Sequence, residues 1–497
     1  MRKLTSYLLP VLCAPLLGSC VLLLDYDALQ KDQTVSSPGA GGQGASGAPA
    51  GGMSAGGAPS CGDCDDKDPC TIDTCDETGA EPTCMHEATE GLKLDGLDTT
   101  LEALRHIRVS LVGSGKLFYL AATFVDKNAP AVDKVSLYRL GADATELEPI
   151  GTDLKLDGNP VSGVGLAVEE LPLGDVALHG FIAAKLKRTD AAKVFHLVSH
   201  NDQTLSNVVG LSYNDSNDTV FPQALVIGST VVGSWIQGDG TIAVHDVGTA
   251  RTDSFGDLTK PATTLSLLST SDEKPAVMFT AESGPMQALG TYVQTSATAP
   301  TELAECDARP GDYVSSSVIG TQIPGLWLAN LTRAGADYLT NANGTLICGA
   351  NQCTAVGEDC TKATPGNGIR DVAGATIRFD TDPPGIVYSV IALPQIAAKV
   401  DDPAAIEGKL SLALGRVDFS APGKAKQTTI GGDPMNGGLM EIAHNDTSAA
   451  LSFAGPDWPA VSILPTEQVA VAWIQPSAAG DGSELRVQRY KMCLPEP

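Results

Sequence analysis

Over residues 89–497 the chain alternates short apolar runs with Gly, Asp, Asn and Pro, the pattern of β-strands joined by turns. One kind of run recurs. It appears as Leu117–Val125 (LFYLAATFV), Ala177–Ala184 (ALHGFIAA), Val231–Gln237 (VVGSWIQ), Ala276–Ala281 (AVMFTA), Gly325–Asn330 (GLWLAN), Ile386–Ala392 (IVYSVIA) and Val469–Gln475 (VAVAWIQ), two of which end in Trp-Ile-Gln. In several units a polar loop and then a partner strand follow. Lys134–Leu140 partners the first run, and Glu484–Tyr490 partners the last with nearly the same offset. The spacing is mostly about 45 to 60 residues, with a longer last interval. A period near 40–50 residues with several strands per unit predicts an all-β, β-propeller-like body. Seven marked runs predict about seven blades, with six and eight as alternatives, and an array of β-sandwiches is the competing architecture. Helical periodicity is scarce, and Thr99–His106 is one short helical candidate. Cys493 directly follows the last strand, so a bridge from it to an earlier cysteine would latch a ring or pin the tail.

The first residues follow another pattern. Arg2 and Lys3 precede an apolar stretch, Leu4–Leu17, and the small residues Gly18 and Ser19 lead to Cys20. This is the layout of a secretory signal. The apolar run is too short for a membrane span, which needs about 20 apolar residues, and Pro10 and Pro15 interrupt it. The Leu17-Gly18-Ser19-Cys20 sequence resembles the lipobox of bacterial lipoproteins. That resemblance implies cleavage after residue 19 and lipid on Cys20. With Val21 rather than aspartate at the next position, it also implies outer-membrane sorting in the cell envelope.

Behind it, Thr34–Ser60 is almost wholly Gly, Ala, Ser and Pro and carries no charge. Such a segment cannot bury enough apolar surface to fold. As a flexible coil its 27 residues would span roughly 30 Å, so residues 20–60 read as a lipidated tether. Residues 61–88 read as a small module that has too few apolar side chains for a core and needs disulfides instead. Its Asp-Pro-Cys-Thr-Ile-Asp-Thr-Cys-Asp stretch resembles the short Cys-rich modules of bacterial surface lipoproteins, with Lys67 and Asp68 where those carry Gly-Asn.

Composition narrows the partners. The net charge is −27, from 59 acidic against 32 basic residues. That balance opposes nucleic acid, whose phosphates demand clustered Lys and Arg, and opposes attraction to anionic lipid. Of 12 cysteines, Cys13 lies in the signal and Cys20 takes lipid. Ten remain, in two groups: Cys61, Cys64, Cys70, Cys75 and Cys84, then Cys306, Cys348, Cys353, Cys360 and Cys493. In an exported chain these are disulfide candidates. Both groups are odd, which one bridge between them, or one free thiol in each, would resolve.

The candidate chemistry is sparse. Asp63, Asp65, Asp66, Asp68 and Asp73 crowd the cysteine module and offer the hard oxygens that Ca²⁺ takes, although the spacing is not that of an EF-hand. His196 and His200, four apart, share one face of a strand or helix and with Asp202 form a weaker transition-metal candidate. Cys348, Cys353 and Cys360 have zinc-like spacing, but export favours disulfides. Trp235, Trp327 and Trp473 fall within the recurring strand and are expected to pack between blades. Trp458, in Gly-Pro-Asp-Trp-Pro, is expected in an exposed turn. No hydrolase serine elbow, phosphate loop or zinc-protease helix motif is present. The leading expectation is therefore non-enzymatic: a lipid-anchored envelope protein that displays a binding or scaffold domain to a protein or glycan ligand. The alternatives are an extracellular propeller-type glycan hydrolase or lyase, and a Ca²⁺-dependent adhesion protein.

Overall fold

A strand with both faces covered needs a continuous apolar run rather than an alternating one. In the computed structural model, each of the seven recurring runs falls on the second strand of its own sheet. The structure describes residues 64–495, apart from many connections between strands, the side chains of residues 301–372 and those of a number of other strand residues, mostly near strand ends. No α-helix occurs among the described residues.

A hairpin of β1 (Thr71–Asp76) and β2 (Thr83–Ala88) comes first, and β3 (Gly91–Ala103) follows it. Blade 1 is β4 (Arg105–Ser114), β5 (Leu117–Val125), β6 (Asp133–Gly141) and β7 (Glu148–Lys155). Blade 2 is β8 (Val161–Glu170), β9 (Val176–Lys185), β10 (Ala192–His200) and β11 (Ser206–Gly210). Blade 3 is β12 (Gln223–Ile227), β13 (Thr230–Ile236), β14 (Ile242–Asp246) and β15 (Arg251–Phe255). Blade 4 is β16 (Ala262–Ser269), β17 (Pro275–Ser283), β18 (Ala288–Gln294) and β19 (Thr301–Cys306).

Blade 5 is β20 (Tyr313–Gly320), β21 (Leu326–Ala334) and β22 (Thr340–Gly349), with β23 (Gln352–Ala355) and β24 (Thr364–Pro365) both pairing with β22. In blade 6, β25 (Asn367–Ile369) and β26 (Ala373–Ile377) both pair with β27 (Ile386–Ala398). On the other side, β28 (Ile406–Asp418) holds β29 (Lys426–Thr429) and β30 (Met440–Thr447). Blade 7 is β31 (Asp457–Ile463), β32 (Gln468–Pro476) and β33 (Ser483–Cys493), and β3 is its fourth, outermost strand.

The first strands touch in sequence, β4 to β8, β12, β16, β20, β26 and β31, and β31 touches β4. Seven antiparallel sheets whose inner strands close on themselves form a seven-bladed β-propeller. The N-terminal strand β3 completes the C-terminal blade, with ladder pairs from Gly91↔Cys493 to Ala103↔Ser483 and one irregularity between Leu94 and Asp98.

Two local expectations are corrected. Thr99–His106 is not helical: Thr99 and Thr100 lie in β3 opposite Val487 and Arg486, and Arg105 and His106 open β4. β-branched Thr99 and Thr100 suit a pleated strand, and β33 supplies a partner that local sequence does not reveal. Trp458 is in β31, beside a register shift between Asp457 and Ala460, and not in a turn. Its side chain lies outside the described residues.

The described cores lie between blades. Phe118, Leu120 and Leu140 of blade 1 pack with Leu97, Leu485 and Val487 of blade 7. Trp473 packs in the blade 6–7 seam, and Trp235 and Phe181 in the blade 2–3 seam, as the sequence implied for those tryptophans. Each fully buried large side chain contributes roughly 1.5–3 kcal/mol. Close blade packing also demands missing side chains. The ring of Phe181 occupies the space beside Gly233, where an added Cβ would meet it at 2.1 Å.

Candidate functional site

The small module is stapled onto the closure of the ring. Its hairpin pairs Asp73 with His86 and Cys75 with Cys84, and the alternation of a strand sets these apart from Ile72 and Met85, which are exposed on the other face. Cys64 bonds to Cys84, and Cys75 is also disulfide-bonded. Cys70 bonds to Cys493, 423 residues away, at the end of β33. One bridge between the two cysteine groups is therefore present, and it uses the C-terminal cysteine. Thr89 adds a backbone hydrogen bond to the Cys70 carbonyl at 2.8 Å, just before β3 begins. Cys61 and the lipidation candidate Cys20 lie outside the described residues, as do the side chains of Cys306, Cys348, Cys353 and Cys360.

Of the five aspartates expected to bind Ca²⁺, the structure brings two together. Nδ1 of His86 lies 2.6 Å from Asp73 Oδ1 and 3.4 Å from Asp66 Oδ2. One ligand atom from each of these three residues falls within 4.8 Å of the others. The remaining carboxylates order the loop. Asp65 accepts from the Lys67 amide at 2.8 Å, and Asp68 accepts from the Cys70 amide at 2.9 Å. Asp66 accepts from the Asp68 amide at 2.8 Å, and its own amide donates to Asp73 at 3.1 Å. Such side-chain-to-backbone bonds are the habit of Asp in turns. They help Lys67 hold its positive φ of 62°. Asp63 lies outside the described residues.

His86 was absent from the sequence-derived ligand set because only the β1–β2 register brings it opposite Asp73. The hydrogen bond to Asp73, and then the charge of Asp66, raise the His86 pKa against some desolvation, and His86 in turn lowers that of Asp73. The arrangement places the His86 ring beside two carboxylates that favour its protonated form and that a divalent cation could also engage.

A second titratable cluster lies between blades 2 and 3. His196 is buried on β10 and meets not His200 but His179 of β9, its Nε2 lying 3.0 Å from Nδ1 of His179. His179 also bonds Glu169 at 3.0 Å, and the ring of His196 stacks on Phe181. His245, buried on β14, bonds Thr252 at 2.8 Å. His200 is exposed at the end of β10, and Asp202 lies outside the described residues. Of the chain's seven histidines, His179, His196, His200 and His245 are all in blades 2 and 3.

Where blade 7 meets blade 1, Arg489 is buried and donates to Asp95 of β3 at 3.2 Å. It also donates to the carbonyls of Gly141 and Ala144 in blade 1, at 3.0 and 2.7 Å. Gln468 adds a bond to the Ala142 carbonyl at 2.7 Å. One guanidinium thus ties the incoming N-terminal strand, the C-terminal strand and the first blade together.

No protein-family model matches the sequence, and no curated protein sequence matches it. Among solved structures, a protein of unknown function from Dyadobacter fermentans is similar at 11% identity and a TM-score of 0.38, over 81% of this chain and 99% of that one. The WD40 domain of SCAP from fission yeast is similar at 9% identity and 0.35, over 81% and 99%. An exo-β-1,3-galactanase from Clostridium thermocellum is similar at 7% identity and 0.33, over 82% and 100%. The propeller assignment rests on the strand order and ring closure of this chain itself.

Proposed function

We propose that this protein is an exported, lipid-anchored display protein. Cys20 carries the lipid, residues 20–60 form the tether, and the propeller presents a binding or scaffold surface to a protein or glycan ligand away from the membrane. The observation that carries the reading is the Cys70–Cys493 disulfide. A covalent staple across the closure of a fold belongs to an oxidising compartment, which agrees with the signal-like N-terminus. At a net charge of −27 the body has no electrostatic hold on anionic lipid, so the anchor must supply the attachment; two acyl chains hold firmly where one does not.

Cys20→Ser tests the anchor. The wild type should partition into detergent and incorporate labelled palmitate, while the variant should appear soluble with the same fold. A variant that stays membrane-bound would overturn the reading. Pull-down from envelope extracts with the soluble variant, with and without Ca²⁺, tests the display role. Turnover of an envelope glycan by the purified protein would replace that role with an enzymatic one.

A further inference from the structure

We infer that the Cys70–Cys493 bridge is a mechanical shunt. It routes tension arriving from the N-terminal segment past the hairpin and β3 and directly into β33. The inference takes only the source of the tension from the tethered reading; the route follows from topology.

Without the bridge, the chain leading out of residue 64 would pull on the hairpin and then on Gly91, the first residue of β3. β3 is the outermost strand of blade 7 and has one neighbour, β33. Tension applied at its first ladder pair, Gly91↔Cys493, would open the ladder one pair at a time. Losing β3 would also remove Leu97 from the blade 7–1 core and Asp95 from Arg489, and with them the closure of the ring.

The bridge changes the route. Cys70 is joined to the residue that faces Gly91, so tension passes from residues 64–70 through sulfur to Cys493. β33 is held along its length by β32 on one side and β3 on the other. Force on its end is therefore opposed by two ladders instead of one. The Cys64–Cys84 bridge adds a second path through residues 84–91 to β3, so the Cys70–Cys493 path takes load that β3 would otherwise bear alone.

Single-molecule force spectroscopy on the full-length Cys20→Ser chain tests this independently of lipidation. One handle is the N-terminus, and the other is a peptide tag inserted in the exposed turn at Thr249, in blade 3. The oxidised protein should show no unfolding step before the ring itself ruptures. The double variant Cys70→Ser/Cys493→Ser keeps Cys64–Cys84. It should show an early, low-force step as residues 84–103 come free, up to roughly 70 Å at about 3.3–3.6 Å per residue. If that variant does not fold, the folded wild type reduced in the instrument serves instead, with a longer early step because Cys64–Cys84 and the Cys75 bridge open as well. An early step in the oxidised wild type, or first ruptures that do not change when the bridge is removed, would overturn the shunt.

Discussion

His179 and His196 lie ring against ring inside the blade 2–3 seam, Nδ1 of the first 3.0 Å from Nε2 of the second and their planes 11° apart. One ring must donate and the other accept, so the pair cannot be doubly protonated without turning two N–H groups on each other. Burial pushes His196 down to about 4, with the charges of His179 and His245 adding to it. Burial also lowers His179, against the pull of Glu169, and lowers His245. At the blade 1–7 boundary, burial brings His106 to about 4.

These histidines fold neutral and take up protons when the chain unfolds, so acid favours the unfolded state. Their contribution is complete above about pH 6.5, the value for a free histidine, and is lost as pH falls toward 4. The raised His86 works in the opposite sense but is exposed and screened by solvent. Thermal melts should show a plateau above pH 7 and a fall in midpoint between pH 6.5 and 4. His196→Phe should flatten part of that slope. A midpoint unchanged across the window would refute the assignment.

Glycine is required where a neighbouring blade's backbone or an aromatic ring fills the space a Cβ would take. A Cβ at Gly165 would stand 2.6 Å from the Cα of Gln223, and one at Gly233 would enter the Phe181 ring. Gly165→Ala and Gly233→Ala should each destabilise by about 1–3 kcal/mol through overpacking. Gly141→Ala, whose Cβ would meet nothing closer than 3.6 Å, is the matched control. Denaturant midpoints for the three variants decide the matter: equal changes would mean that the close approaches at Gly165 and Gly233 do not set the cost, since the entropy of the unfolded chain alone favours alanine.

The blade order was legible because the second strands whose side chains are described are buried on both faces and so read as apolar runs: LFYLAATFV is the whole of β5. The partners Lys134–Leu140 and Glu484–Tyr490 fall in β6 and β33, the third strands of blades 1 and 7. Strand β3 was not legible as the closing strand. Its sequence GLKLDGLDTTLEA alternates buried and exposed positions, and its partner lies at the far end of the chain, so no local signal marks the pairing. The ring-to-tail bridge was foreseeable from the odd cysteine counts and the position of Cys493, but its partner Cys70 was not, since spacing does not determine connectivity. His179 looked like a polar interruption in an apolar strand. Only the β9–β10 register brings it to His196, and only the packing of blade 3 adds His245.

Calcium binding at the module is a direct expectation of its aspartates, two of which already converge with His86. Isothermal titration of the full chain with millimolar Ca²⁺ should give a saturable heat. Asp73→Asn should abolish it, since Asp73 offers an oxygen to the shared point, while Asp76→Asn, outside the cluster, should leave it unchanged. No heat with the wild type would end the calcium reading and leave the cluster as an ion pair on the stapled hairpin.

Arg489 gives the sharpest test of how the ring is closed. It is charged, 3% exposed, and bonded to one carboxylate of β3 and to two carbonyls of a single turn in blade 1. Removing one partner from a buried ionic network leaves the others uncompensated, at a cost of about 3–5 kcal/mol, so Arg489→Ala should lower the denaturant midpoint by a corresponding amount. Arg489→Lys should recover little of this loss, because a single ammonium cannot span acceptors that the planar guanidinium reaches together. Asp95→Asn should cost less, because Asp95 is partly open to water and the amide can still accept. If closure depends on this contact, hydrogen exchange in Arg489→Ala should quicken first in β3 and in the turn at Gly141–Ala144. Exchange that quickens evenly across all blades would mean that Arg489 contributes only to overall stability and does not tie the ends of the chain together.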